Sequence, residues 1–388
     1  MEEDELEGSK GCALEEASSS SSTSWLSSVA KSQTLLGSDE LNKHLVERRA
    51  VVQLTTWNMG SLPLPDEHQL RKIFYHGDII QAVDVHVVAI QECWPDADAL
   101  ELQMQMCLCP QFALFHSVSF GTLHLSIFLR RDLLWFTTES VEISQTLRSG
   151  RLFKTKGFIA VGFGLFGSRF LFINAHLSAG DDSDRESQRA EELKRVIGIA
   201  KGNMSNSSSY DATFLCGDLN FRISRLKRST ILQELKNDNL DALLKDDQLN
   251  NLLRNVEMTK SSLNGFQEAA TISFRPTYKY DLGTDNFDSS SKKRSPAYTD
   301  RIIYKCKSLP SNEPLVSCLS YESVKDLKTS DHRPVYAIFN VIVRPGFDTL
   351  PLTGAQFKRD VFVKAVQQRA KFLLDRRKKI ASSACSVM

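Results

Sequence analysis

The chain has 388 residues, 41% hydrophobic and 24% charged, with a net charge of +1. This length can bury a large core in one big domain or two ordinary ones, and the balance is that of a globular enzyme rather than a fibrous or disordered chain. Near-neutral charge gives no global argument for a nucleic-acid or membrane partner, and no apolar run reaches the eighteen or so residues that a membrane-spanning helix needs.

Residues 1–45 begin with seven acids against Lys10 within 1–16, then turn Ser-rich from Ser18 to Ser24, so disorder is expected there. Order begins with the β-branched run Val51 to Trp57, which stops on Asn58. Leu70 to Val83 has helical spacing. Val85 to Ile90 reads as a buried strand delivering Gln91 and Glu92, and Asp96 to Leu108 as a helix capped by Asp96. Strand signals follow at 112–118, 122–129, 133–137, 158–166 and 169–173, the last running into Asn174 and His176. Asp184 to Ala200 reads as a charged helix.

Ala212 to Cys216 is an apolar strand that stops at Gly217 and presents Asp218, Asn220 and Arg222. Strand alternation would set these three in one row. Short helices are expected at 229–237 and 247–255, irregular polar chain at 276–295, strands at 301–305 and 334–343, and a closing helix at 356–380. Strands outnumber helices without alternating strictly with them, which favours packed mixed sheets over a doubly wound parallel sheet.

The eight cysteines form no zinc pattern, and Cys216, Cys107 and Cys109 lie in apolar or semi-apolar runs. With no secretory signal pattern, a reducing compartment is expected.

Six apolar strands abut polar residues suited to acid–base or metal chemistry: Trp57-Asn58, Ile90-Gln91-Glu92, Asn174-Ala175-His176, Gly217-Asp218-Leu219-Asn220, Tyr298-Thr299-Asp300-Arg301 and Ser330-Asp331-His332. A lone histidine after a strand is more often structural than catalytic. Six such junctions are harder to dismiss, because strand termini on one rim converge.

This set resembles the inositol polyphosphate 5-phosphatases, within the Mg²⁺-dependent superfamily of deoxyribonuclease I and the apurinic endonucleases, over residues 50–345. The resemblance implies an α+β fold, a four-layer αββα sandwich of two mixed sheets with outer helices. It implies Glu92 and Asn58 as Mg²⁺ ligands, Asp218 as proton acceptor oriented by Asn220, and His332 as phosphoryl stabiliser held by Asp300. Asp331 would assist, and His176 would contact the scissile phosphate from the other side. The reaction implied is in-line attack of water on phosphorus at the 5-phosphate of PtdIns(4,5)P2 and PtdIns(3,4,5)P3. Tyr278, Lys279, Lys292 and Arg294 would hold the neighbouring 4-phosphate, with Arg222 and Arg301 also facing substrate.

Residues 346–388 form a basic tail: nine Lys or Arg stand against Asp360 and Asp375 within 358–379, and the sequence closes on Cys385-Ser386-Val387-Met388. This reads as a CaaX box for a farnesyl group, with Arg376 to Lys379 as the second membrane signal. It is similar to the type IV, CaaX-bearing branch of the family. That similarity implies the cytoplasmic face of membranes, the primary cilium and the Golgi, a prenyl-binding chaperone and small GTPases as partners, and a monomer that binds no nucleic acid. The rival readings are a nuclease or other phosphodiesterase of the superfamily, and a catalytically weak adaptor that binds lipid or a GTPase.

Overall fold

The computed structural model describes residues 38–76, 83–93, 96–147, 156–204, 210–255, 262–309, 311–346 and 356–385. Among them, twelve strands form two six-stranded sheets. The first sheet contains β1 (Arg49–Asn58), β2 (Val85–Gln91), β3 (Phe112–Phe120), β4 (Leu123–Arg130), β11 (Val316–Ser323) and β12 (Val335–Ile342), in the order β11-β12-β1-β2-β4-β3. The second contains β5 (Val141–Thr146), β6 (Gly157–Leu165), β7 (Ser168–His176), β8 (Ala212–Asp218), β9 (Gln267–Glu268) and β10 (Asp300–Cys306), in the order β5-β6-β7-β8-β10-β9. Each sheet holds one parallel pair, β1 with β2 and β7 with β8, among antiparallel neighbours.

The helices are α1 (Ser38–His44), α2 (Glu67–Arg71), α3 (Ala97–Leu108), α4 (Ser183–Met204), α5 (Arg228–Lys236), α6 (Leu240–Lys245), α7 (Gln248–Arg254) and α8 (Arg359–Cys385). Alternation along the strands sorts their side chains into layers. Val52, Leu54, Val87 and Ile127 of the first sheet meet Val161, Phe172, Phe214 and Ile302 of the second in one buried core. The opposite face of the first sheet, with Trp57, Val88 and Ile90, packs under α2 and α3 through Leu70, Leu100 and Met104. The outer face of the second, with Leu171, Ile173 and Leu215, lies under Leu193, Val196 and Ile197 of α4. The expected four-layer αββα sandwich is therefore present.

Several local expectations change. Residues 38–44, expected to be disordered, form a helix because Leu41 and Leu45 are buried in the inter-sheet core. The helix expected over 70–83 is α2 alone, five residues long with Asp66 as its cap; residues 77–82 lie outside the described residues. Residues 133–137 sit mostly in a 3₁₀ turn, Arg131–Phe136, rather than a strand. Strands β5 and β11 escape a sequence reading because they are sheet edges with much of their surface in solvent, so no continuous apolar run marks them. Of the tail, α8 is described as far as Cys385, and Ser386 to Met388 lie outside the described residues.

Candidate active site

The polar junctions meet because of strand direction. Parallel β1 and β2 both end at one rim, delivering Asn58, Gln91 and Glu92. Parallel β7 and β8 end at the matching rim with His176 opposite Asp218. Strand β10 runs against β8, so it begins there, with Asp300 paired to Asp218. Strand β12 runs against β1, so Asp331 and His332 arrive just before it. Parallel strands contribute their ends, antiparallel ones their starts. Across the two sheets, Gln91 Nε2 donates to Asn174 Oδ1 at 2.7 Å.

Asp218 sits at the centre, 2% exposed. Its Oδ2 accepts from Asn58 Nδ2 at 2.9 Å and lies 3.1 Å from His176 Nε2. The Lys156 ammonium also touches His176 Nε2. Burial would raise the Asp218 pKa, but the His176 hydrogen bond and the charges of His176, His332 and Lys156 win and hold it well below the carboxylate range. Gly217 makes the placement possible: at φ +147°, its backbone approaches β7 so closely that a Cβ would stand 1.8 Å from Ala175 O.

His332 is held differently. Its Nδ1 lies 2.9 Å from Asp300 Oδ2, which also accepts from Thr277 Oγ1 at 2.6 Å and Thr299 Oγ1 at 2.9 Å. A carboxylate cannot donate, so Nδ1 carries the proton and Nε2 is left for a phosphate. Burial works against the imidazolium, yet the Asp300 carboxylate, with Asp218 and Asp331 beyond, pushes its pKa up to about 9. Asp218, Asp300 and His332 bring potential ligand atoms within 4.8 Å of one another. An imidazolium has no lone pair to give, so His332 suits a phosphoryl oxygen better than a cation. Glu92 offers the hard, open oxygen: its side chain is 37% exposed, 3.9 Å from His176 Nε2.

A second cluster lies beside His332. The Tyr278 ring is 4.6 Å from the His332 ring, and the Arg222 guanidinium stands 4.8 Å over that tyrosine. Lys279 pairs with Asp331, while Arg294 Nη1 reaches Asp181 Oδ2 at 3.1 Å and Arg222 Nε lies 3.5 Å from Asp181 Oδ1. Lys292 is exposed two residues before Arg294.

Two expectations are corrected. Arg301 does not face the site: it neighbours Asp300 on a strand and so projects to the other side. There it is fully buried, bonding Asp247 Oδ1 at 2.8 Å and Glu268 Oε2 at 2.7 Å. The Asp218–Asn220–Arg222 row is not a strand edge, because the chain leaves β8 at Asp218 and Asn220 adopts φ +58°. The three still meet through a turn, with Arg222 Nη2 donating to Asn220 Oδ1 at 2.7 Å. Asn58 turns its nitrogen toward Asp218 and Glu92 while its Oδ1 accepts from Gly60 N at 2.9 Å, which leaves that oxygen a second lone pair.

Lys156 and Asp181 were missed. Lys156 precedes a buried strand amid other basic residues, and only the pairing of Gly157 with His176 brings it to the rim. Asp181 sits in a Gly-Asp-Asp loop that reads as solvent-facing.

The model of Endonuclease/Exonuclease/phosphatase family 2 matches residues 55–338. The chain belongs to this family. Among its curated relatives, the rat phosphatidylinositol polyphosphate 5-phosphatase type IV is 36% identical over 377 residues, covering 93% of this chain and 56% of the relative. The human protein of that name is 35% identical, covering 93% and 57%. The chain thus spans a little over half the length of these relatives. Among solved structures, the inositol polyphosphate 5-phosphatase domain of SPsynaptojanin, in complex with inositol (1,4)-bisphosphate and calcium ion, aligns with a TM-score of 0.65 at 24% identity, covering 90% of this chain and 99% of that one. A Cimex nitrophorin in its ferrous NO complex aligns at 0.58 and 22% identity, covering 76% and 99%. One fold carries two chemistries in these neighbours, so function has to be argued from the site.

Proposed function

We propose that the chain is a metal-dependent phosphoinositide 5-phosphatase, hydrolysing the 5-phosphate of PtdIns(4,5)P2 and PtdIns(3,4,5)P3 at a membrane surface. The observation that carries this reading is that Asp218 and His332 bring polar atoms within 4.8 Å of each other at one rim, beside the cations Lys279, Arg222 and Arg294. Such a site orients a water and neutralises a phosphate together. The similarity to type IV 5-phosphatases supports the choice of substrate.

Mg²⁺ fits the open carboxylate of Glu92, which would hold it with waters and a phosphate oxygen completing the shell. When bound, the ion would neutralise phosphate charge and acidify the attacking water. The chain's own residues do the rest. Asp218, fixed by Asn58 and His176, orients the water and takes its proton. His332 donates from Nε2 to a phosphoryl oxygen, Lys156 adds positive charge from the opposite side, and His176 would contact the phosphate there. Asn220 and Arg222 brace the turn that carries Asp218.

The test is phosphate release from a panel of phosphoinositides and soluble inositol phosphates, with Mg²⁺ and with chelator. Chelator-sensitive release confined to substrates bearing a 5-phosphate is expected. Full activity in chelator, or equal release from head groups lacking the 5-phosphate, would overturn the proposal.

A further inference from the structure

Helix α8 changes character along its length. Its first turns are bolted to the domain: Ala365 is fully buried, Phe362 packs on the inter-sheet core, and Arg369 Nη1 donates to Met106 O at 2.5 Å. From Lys371 to Lys379 every residue is exposed. Within that stretch Phe372, Leu373 and Leu374 are 53%, 46% and 58% exposed, a run of large apolar side chains not packed into the domain's core. Five basic residues stand beside them against the single acid Asp375.

Consecutive helical residues lie 100° apart, so Phe372 to Leu374 splay over more than half the circumference. A narrow groove on a protein accepts one stripe of a helix; the boundary of a bilayer accepts an arc. The positive charge opposes a second copy of the same segment and complements an anionic surface. We propose that Lys371–Lys379 is a docking element for an anionic lipid bilayer. Phe372, Leu373 and Leu374 enter the headgroup boundary, and the basic residues Arg376–Lys379 meet its charge. The choice of a bilayer rests on the lipid-substrate reading. The docking needs no covalent lipid. Because the proximal turns of α8 are fixed to the domain, it restricts how the domain sits on the membrane.

The full chain carrying Cys385→Ser, made in bacteria and so free of any attached lipid, is sedimented with phosphatidylcholine vesicles with and without 30% phosphatidylserine, all lacking phosphoinositide. At least tenfold stronger partition onto the anionic vesicles is expected. Phe372→Gln, Leu373→Gln and Leu374→Gln combined should cut it at least tenfold, the three glutamines preserving helix propensity. Turnover of a soluble inositol phosphate should stay within twofold of the parent. A Phe372→Trp variant should gain fluorescence quenching by chain-brominated lipid in anionic vesicles. Equal binding by the triple variant would reduce the contact to charge alone and overturn the proposal, as would failure of the parent to bind. A parent dimer made monomeric by the triple variant would assign the patch to a second copy instead. Failure of the phosphatase reading would appear separately, as a parent that binds vesicles but releases no phosphate.

Discussion

Asp218 and His332 are buried ionisable groups driven in opposite directions, and each direction has a kinetic consequence. Asp218→Asn keeps a group of the same shape between Asn58 and His176 but removes the proton acceptor. Turnover should fall by about three orders of magnitude or more with KM little changed, read by steady-state kinetics. For His332 the folded pKa of about 9 lies above the ordinary 6.5. Its charge therefore stabilises the fold fully below pH 6.5 and ceases to do so once pH has risen through about 9. Activity should share that alkaline limb near 9. Asp300→Asn should move the limb toward neutrality in a kcat/KM-against-pH profile; an unmoved limb would assign it elsewhere. Arg301 belongs to a different ledger. Arg301→Ala strands Asp247 and Glu268 and should cost about 3–5 kcal/mol in denaturant melts, Arg301→Lys less, with 4-phosphate preference untouched in the folded protein.

At the scale of elements, the loop 276–295 and the turn after β8 supply the second cluster, and their cations are already engaged by Asp331 and Asp181. Under the proposed function a 4-phosphate would have to displace those carboxylates, so each contact would be worth less than the roughly 1.5–3 kcal/mol of an unopposed charge-assisted bond. Lys279→Ala with Arg294→Ala should raise KM about tenfold or more for substrates bearing a 4-phosphate and little for those without. Asp181→Ala should lower KM for the former. What was legible in the sequence follows the same physics. Strands buried on both faces, such as β2, β7 and β8, announce themselves as apolar runs, and the residues at their ends are conspicuous by contrast. Edge strands β5 and β11 carry no such contrast. Arg301 and Lys156 show the limit from both sides: one was expected in the site and strand alternation turns it away, the other was not singled out and the pairing of Gly157 with His176 brings it in.

For the whole molecule, the two sheets each bring part of the site: Asn58, Glu92 and His332 with the first, His176, Asp218 and Asp300 with the second. Packed mixed sheets were readable because strands outnumber helices without alternating strictly with them, and the four-layer order came from the family resemblance; the crossing of the chain between sheets was not readable, since contacts of that sequence distance leave no local trace. Location is a separate matter from chemistry. Cys385→Ser should weaken membrane attachment in cells to what the α8 contact alone provides while turnover of soluble substrate is unchanged, and intact mass of cell-derived protein should show a farnesyl group on the parent alone. Unmodified parent mass would remove that route.

The order of sheet assembly has one more consequence, for the protein as it is made. Strand β1 is synthesised well before its partner β12 at 335–342, with the other strands of both sheets made in between. Until then β1 has one unpaired edge, the exposed row of backbone groups that invites wrong pairing. His332 arrives only with that closing strand. A nascent chain without β12 therefore has no complete site, and the proposed hydrolysis would have to wait until that strand has docked.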